Sequence, residues 1–321
     1  MKKHKIALAI FALLVIACVC PASADIISDY TASYDESTQK VHAKVILTGG
    51  EEGARASEYP RDFVILMDVS LSTRDVYKDQ ARLEWAKNAT IDFLKSLYAY
   101  KSRVGVITFS DAVMEVCPLT FNFEGVKRSI EGNVSSQGFY TNYGDGIQKA
   151  TLALKGRERE ALPVIILLTD GGEDRGITSV EDAVDFAKKE GIMIYVVSFG
   201  DKEWIDEVML REKVVKPTGG EYRYTSFEGL SDTLIATTKM EEFLSAINLQ
   251  IVISQSEDAV LDFYSIPSRP LATSGVIVTA EDRSSFISPK LSRGEEIVIE
   301  FDAFSAKEGN ITVGVVDVYY R

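Results

Sequence analysis

Residues Phe63-Val-Ile-Leu-Met67 run directly into Asp68-Val-Ser70-Leu-Ser72. An unbroken apolar run of this length suits a strand buried on both faces, as in a mostly parallel sheet, and the abrupt change to short oxygen-bearing side chains marks its carboxyl end. A second junction of the same kind follows: Pro163-Val-Ile-Ile-Leu-Leu-Thr169 gives way to Asp170-Gly-Gly172. Between them Gly138-Phe-Tyr-Thr141-Asn-Tyr-Gly-Asp-Gly146 opens a helix. Ligands of open α/β sheets bind beyond the carboxyl ends of strands, where strand order reverses, so the three polar clusters can meet on one edge.

Outward from these junctions, strand-like and helix-like patterns alternate over residues 60–240. Helices are predicted at 81–98, 123–130, 145–155, 179–190 and 227–239, with a shorter one near Trp204. Strands are predicted at 103–109, 113–117, 192–199 and 222–224. The alternation predicts an α/β block with a doubly wound, mostly parallel, Rossmann-like sheet of about six strands. Beyond it the apolar period becomes two, in Val41-His-Ala-Lys-Val-Ile-Leu47, Leu249-Gln-Ile-Val-Ile-Ser254, Val276-Ile-Val-Thr279, Ile297-Val-Ile-Glu-Phe301 and Ile311-Thr-Val-Gly-Val-Val316. These read as a small antiparallel β-sandwich at 241–321. The segment 25–59 has too few strands to stand alone and is expected to complete that sandwich, so the α/β block is inserted in it or followed by it.

At the start of the chain Met1-Lys-Lys-His-Lys5 precedes an apolar run from Ile6 to Cys20 and then Pro21-Ala-Ser-Ala24. This is the form of a secretory signal peptide over 1–24, cleaved before Asp25. Val15-Ile-Ala-Cys18 also has the form of a lipobox, with Cys18 as the lipid-bearing residue, and the run is near the length of a membrane span. All three fates place the protein outside the cytoplasm, secreted or at the cell surface. Cleavage leaves Cys117 alone, so no intramolecular disulfide forms, and Cys117 reads as a small buried residue at a strand end. Loss of Lys2, Lys3 and Lys5 takes the net charge of −13 to about −16, which makes nucleic acid a poor partner.

The chain has two histidines, His4 in the leader and His42 on a predicted strand away from the polar edge. A Ser-His-Asp arrangement is therefore absent from the edge, no glycine-rich phosphate loop follows the first strand, and the chain is read as no enzyme. Asp and Ser serve as ordinary turn and cap residues, which accounts for any one cluster taken singly. Three clusters in order, each at a strand or helix end, point further.

Asp68-x-Ser70-x-Ser72, Thr141 and Asp170 resemble the metal-ion-dependent adhesion site (MIDAS) of the von Willebrand factor type A (VWA) family, over roughly residues 60–240. The resemblance implies a sheet order of 3-2-1-4-5-6, with the strands ending at Asp68 and Asp170 as neighbours. It also implies that Ser70, Ser72 and Thr141 ligate a metal directly while Asp68 and Asp170 act chiefly through water or hydrogen bonds. Hard oxygen ligands of these kinds suit Mg²⁺, with Mn²⁺ and Ca²⁺ open, and a partner's carboxylate can take a free position. Leu71 stands where many relatives have a small residue, and with Arg74 it is expected to shape the rim. Asp111, Asp145, Glu173 and Asp174 lie nearby and read as loop or helix-start residues, and Asn142 as a helix cap. The leading function is a metal-dependent binding or adhesion module for a protein or peptide carboxylate. The alternative is an assembly subunit of a surface or envelope complex, with metal-assisted hydrolysis a distant third.

Overall fold

The period of the apolar pattern separates two kinds of structure along the chain. In the computed structural model, which describes residues 12–19, 26–35, 37–50, 54–55, 59–97, 101–155, 161–172, 177–237, 243–267, 270–272, 278–280, 284–304 and 311–319, strands come first: β1 (Ala12–Val19), β2 (Ile26–Asp35) and β3 (Lys40–Gly49). An alternating stretch follows: β4 (Arg61–Asp68), α1 (Arg82–Ser96), β5 (Ser102–Phe109), β6 (Val113–Thr120), α2 (Phe123–Asn133) and α3 (Tyr143–Lys155). It continues with β7 (Leu162–Thr169), α4 (Val180–Lys189), β8 (Met193–Phe199), β9 (Tyr222–Thr225) and α5 (Leu230–Ala236). Strands then return as β10 (Phe243–Gln255), β11 (Val260–Asp262), β12 (Ser285–Ser292), β13 (Glu296–Phe304) and β14 (Ile311–Tyr319). The chain divides into two compact units, Arg55–Glu242 and the combination of Met1–Ala54 with Phe243–Arg321.

The α/β unit is built on one sheet in the order β9-β8-β7-β4-β5-β6. All neighbours in it are parallel except β5 and β6. Numbered within the unit this is 3-2-1-4-5-6, and β4 and β7 are adjacent, with Val64 opposite Ile165 and Met67 opposite Leu168. Every residue of β4 and β7 is buried, because helices cover both faces. On one face Val64, Leu66, Ile165 and Leu167 pack with Ile147, Ala150 and Leu154 of α3 and Ala183 and Val184 of α4. On the other, Phe63 meets Phe93 of α1 edge to face at 5.3 Å, a geometry that adds about 0.5–1.5 kcal/mol beyond area burial. Gly144 is required where α3 passes the 178 backbone: a Cβ there would lie 2.0 Å from the Thr178 carbonyl oxygen.

In the other unit two sheets enclose a common core. One holds β1-β14-β10-β12, the other β11-β13-β3-β2. The early strand β3 pairs antiparallel with the late strand β13, Val45 opposite Ile299, and alternate residues of both face inward. Val45, Leu47, Ile299 and Phe301 from one sheet meet Ile251, Phe286, Val316 and Val318 from the other. His42 lies on the outward face of β3, its ring nitrogen 2.8 Å from Asp302. The apolar run read as a leader contributes β1, which pairs in parallel with β14. Cys18 lies within β1, opposite Val318, while residues 1–11 and 20–25, with the expected cleavage point before Asp25, lie outside the described residues. Also outside are Val276, Ile277 and the 238–239 end of the last predicted helix. Among the described residues no helix is long and apolar enough to cross a membrane.

Cys117 corrects the sequence reading. It lies within β6 and is only partly buried, because β6 is an edge strand, and its thiol contacts the Pro118 carbonyl at 3.5 Å.

Candidate metal centre

Sheet order fixes where polar residues can gather. The chain leaves β4 toward β5 and β6, then crosses back to β7, so the crevice above the carboxyl ends of β4 and β7 is the switch point of this sheet. Asp68 is the last residue of β4 and Asp170 follows the last residue of β7. Their exposures are 2% and 0%.

Each carboxylate oxygen is engaged. Asp68 accepts from the Ser70 backbone N–H at 2.9 Å and from the Thr169 hydroxyl at 2.8 Å. Asp170 accepts from the Ser72 hydroxyl at 2.8 Å and from Arg82 Nη1 at 3.2 Å. The Ser70 and Ser72 hydroxyls lie 3.2 Å apart, so Ser70, Ser72 and Asp170 form one hydrogen-bonded row. Ser70 is extended, at φ −62° and ψ 175°, and a 3₁₀ turn over Leu71–Arg74 brings Ser72 back over the crevice. The Thr73 hydroxyl ties that turn by donating to the Ser70 carbonyl at 2.7 Å.

Thr141 is buried but is joined to the other four by no hydrogen bond among the described residues. Its loop is nevertheless fixed to them on both sides. Before it, the Gln137 N–H donates to the Val69 carbonyl at 2.7 Å and the Ser136 hydroxyl reaches the Ser70 carbonyl at 3.0 Å. After it, the Tyr143 hydroxyl lies 2.9 Å from the Thr169 hydroxyl and also contacts the Gly171 carbonyl. Gly138 is needed in this loop, since it has φ +72° and a Cβ would fall 2.6 Å from the Ser110 hydroxyl. Asn142 caps α3 by accepting from the Asp145 N–H at 3.0 Å.

The remaining acids named from the sequence hold loops. Asp111 accepts from the Phe139 and Tyr140 N–H groups at 3.1 and 2.8 Å, and Asp145 accepts from the Thr178 N–H at 2.9 Å. Glu173 and Asp174 lie outside the described residues. Sequence reading missed Thr169, Tyr143 and Arg82. Arg82 did leave a signal: it is the first residue of α1, where the helix dipole disfavours a cation, so it needs an anionic partner. It has three, Asp170, Asp201 at 2.6 Å and Asp75 at 3.9 Å, and its guanidinium lies over the Phe227 ring at 5.5 Å.

Burial first, and Asp170 second, push the Asp68 carboxyl well above its ordinary value. Burial does the same to Asp170, against the opposing pull of Ser72 and Arg82. Of the two buried carboxylates only Asp170 meets a guanidinium, which is divided again with exposed Asp201 and Asp75, and the crevice carries surplus negative charge with little water to screen it. That surplus, together with serine hydroxyls and no sulfur or imidazole, fits a hard divalent cation. Room is available: a Cβ on Gly171 would meet nothing nearer than the Ser72 hydroxyl at 4.0 Å. Among the described residues no group of three or more His, Cys, Asp or Glu is placed to hold a metal, so any site here depends on hydroxyls.

Residues 63–173 match the family model of the von Willebrand factor type A domain. No curated protein matches the chain. Among solved structures, a von Willebrand factor type A protein from Catenulispora acidiphila is 16% identical, with a TM-score of 0.55, over 90% of this chain and 67% of that one. The hypothetical protein BatB from Bacteroides thetaiotaomicron is 22% identical over 56% of this chain and 99% of its own, with a TM-score of 0.46. The pilus adhesin SpaC from Lactobacillus rhamnosus GG, in its open conformation, is 14% identical over 89% and 43%, also with a TM-score of 0.46. The switch-point sheet, the matched segment and the first of these structures agree on one conclusion: the α/β unit has the von Willebrand factor type A fold.

Proposed function

We propose that this protein is an extracytoplasmic binding module in which Asp68, Ser70, Ser72, Thr141 and Asp170 hold Mg²⁺ and present it to a carboxylate of a protein partner. The observation that carries this reading is the charge imbalance at the crevice: Asp68 and Asp170 are both buried and pushed up, and among the described residues Arg82 is the only cation paired with either. Bound Mg²⁺ would supply an electrophilic centre for an incoming anionic oxygen. The chain's own residues do the rest. Thr169 and the Ser70 N–H orient Asp68, Arg82 and Ser72 orient Asp170, and the Ser136 and Gln137 bonds keep the Thr141 loop against the Ser70 turn.

Catalysis has little support. No histidine lies in the α/β unit, and His42 is held on β3 of the other unit beside Asp302. Export rests on the leader-like start of the chain.

Calorimetric titration of metal-stripped protein with Mg²⁺ and Mn²⁺, wild type beside Asp68→Ala and Thr141→Ala, tests the proposal. Saturable uptake lost in both variants is expected. A folded wild type that takes up neither ion would overturn it.

A further inference from the structure

We infer that the partner presents its carboxylate from an apolar setting, an extended segment in which Asp or Glu is flanked by aromatic or aliphatic side chains. This inference rests on the proposed metal centre and adds the chemistry of what docks there. Four loops carry large apolar side chains into solvent around the crevice. Phe139 is 68% exposed, Ile177 97% and Trp204 71%, with Leu71 and Tyr140 also exposed.

Their positions are tied to the site. Leu71 stands between Ser70 and Ser72, and Tyr140 directly precedes Thr141. The Trp204 carbonyl lies 3.4 Å from where a Cβ on Gly172 would be, two residues beyond Asp170. Ile177 is held by its N–H, 3.4 Å from the Asp145 carboxylate in the first turn of α3. Scattered surface hydrophobes need no explanation, but large ones on separate loops around one polar crevice mark an interaction surface. The glycines at 171 and 172 leave the floor between them open.

Polar groups beside Phe139, Tyr140 and Ile177 are engaged within the protein, whereas Asp201 and Glu203 beside Trp204 are exposed. Asp111 is occupied by the Phe139 and Tyr140 N–H groups, Asp145 by Asn142 and Thr178, and Arg74 turns its Nε to the Ser136 hydroxyl at 3.3 Å. An overall charge of −13 would by itself favour a partner with Lys or Arg beside its carboxylate. At Phe139, Tyr140 and Ile177, whose neighbouring Asp111 and Asp145 are already engaged, the preference is opposite, because cationic flanks would lose water there without gaining a free counter-charge.

The test is an array of heptapeptides with Asp fixed at the centre and the other positions varied, probed with protein recovered from an exporting host, in Mg²⁺ and in EDTA. Mg²⁺ uptake is measured in parallel by calorimetry. The expected result is selection of Phe, Trp, Leu or Ile beside the Asp, abolished by EDTA and by Thr141→Ala. Trp204→Ala and Phe139→Ala should weaken the selected peptides by about tenfold or more while leaving Mg²⁺ uptake unchanged. Both residues are exposed, so these variants should fold. Normal Mg²⁺ uptake with flat, EDTA-resistant or Lys/Arg-flanked selection would overturn this inference and spare the metal centre. Absence of Mg²⁺ uptake would overturn both.

Discussion

The two ends of β4 each carry a buried aspartate, and the two are treated differently. At the amino end Asp62 is met by Arg103 on the neighbouring β5, with Nε at 3.0 Å and Nη2 at 2.7 Å, a two-point pairing that balances charge for charge. At the carboxyl end Asp68 has no cation of its own, faces Asp170, and is served by neutral donors. A buried carboxylate is therefore not by itself a sign of a site. The sign is a buried carboxylate that the fold leaves uncompensated, because holding surplus charge out of water costs stability that a ligand can return.

The largest effect should come from breaking the balanced end. Asp62→Ala strands the Arg103 guanidinium and should destabilise by about 3–5 kcal/mol in urea unfolding, while Mg²⁺ uptake by the remaining folded protein is unchanged. Equal loss of uptake would mean that the two ends are not independent. Next is Arg82→Met, which deprives Asp170 of its guanidinium. Metal-free protein should lose about 2 kcal/mol or more, and the rise in melting temperature on adding Mg²⁺ should exceed that of wild type.

The pH response should separate the ends as well. The Asp68 and Asp170 carboxyls are raised in the folded chain, so the fold binds their protons more tightly than the unfolded chain does. Stability of the metal-free protein should therefore fall as pH rises above the ordinary carboxylate value of 3.8, by up to about 1.4 kcal/mol per pH unit for each carboxyl. Asp68→Asn should flatten that slope, leave the metal-free protein as stable as wild type or more so at neutral pH, and abolish stabilisation by Mg²⁺. A slope unchanged in Asp68→Asn would place its origin elsewhere. The smallest effect belongs to Trp204→Ala, within about 0.5 kcal/mol of wild type in the same unfolding experiment, as suits a side chain that touches mainly solvent.

Much of the α/β unit was legible because its apolar runs are long and end sharply. The junctions at Asp68 and Asp170 placed two strand ends, and adjacency of β4 and β7 brought Asp68, Ser70, Ser72 and Asp170 into direct hydrogen-bonding contact. Thr141 followed the same logic only to its loop. What escaped depends on partners distant in sequence. The Arg82–Asp170 bond joins residues 88 positions apart, and Thr169 reads as the polar end of a strand until Asp68 and Tyr143 are seen on either side of it. Cys117 was misplaced because its residue type was read as buried, although the sheet order implied by the resemblance already puts its strand at the edge. The aromatic rim was invisible for a related reason, since exposure of Phe139 and Trp204 is a property of the assembled loops.

The most direct measurement is a crystal structure of the protein grown in Mn²⁺, with anomalous scattering used to locate the ion. One strong peak among the oxygens of Asp68, Ser70, Ser72, Thr141 and Asp170 is expected. A folded protein that binds Mn²⁺ in solution but shows its peak elsewhere, with Asp68 and Asp170 still joined only to Ser70, Thr169, Ser72 and Arg82, would contradict the assignment of the uncompensated end of β4 as a metal centre.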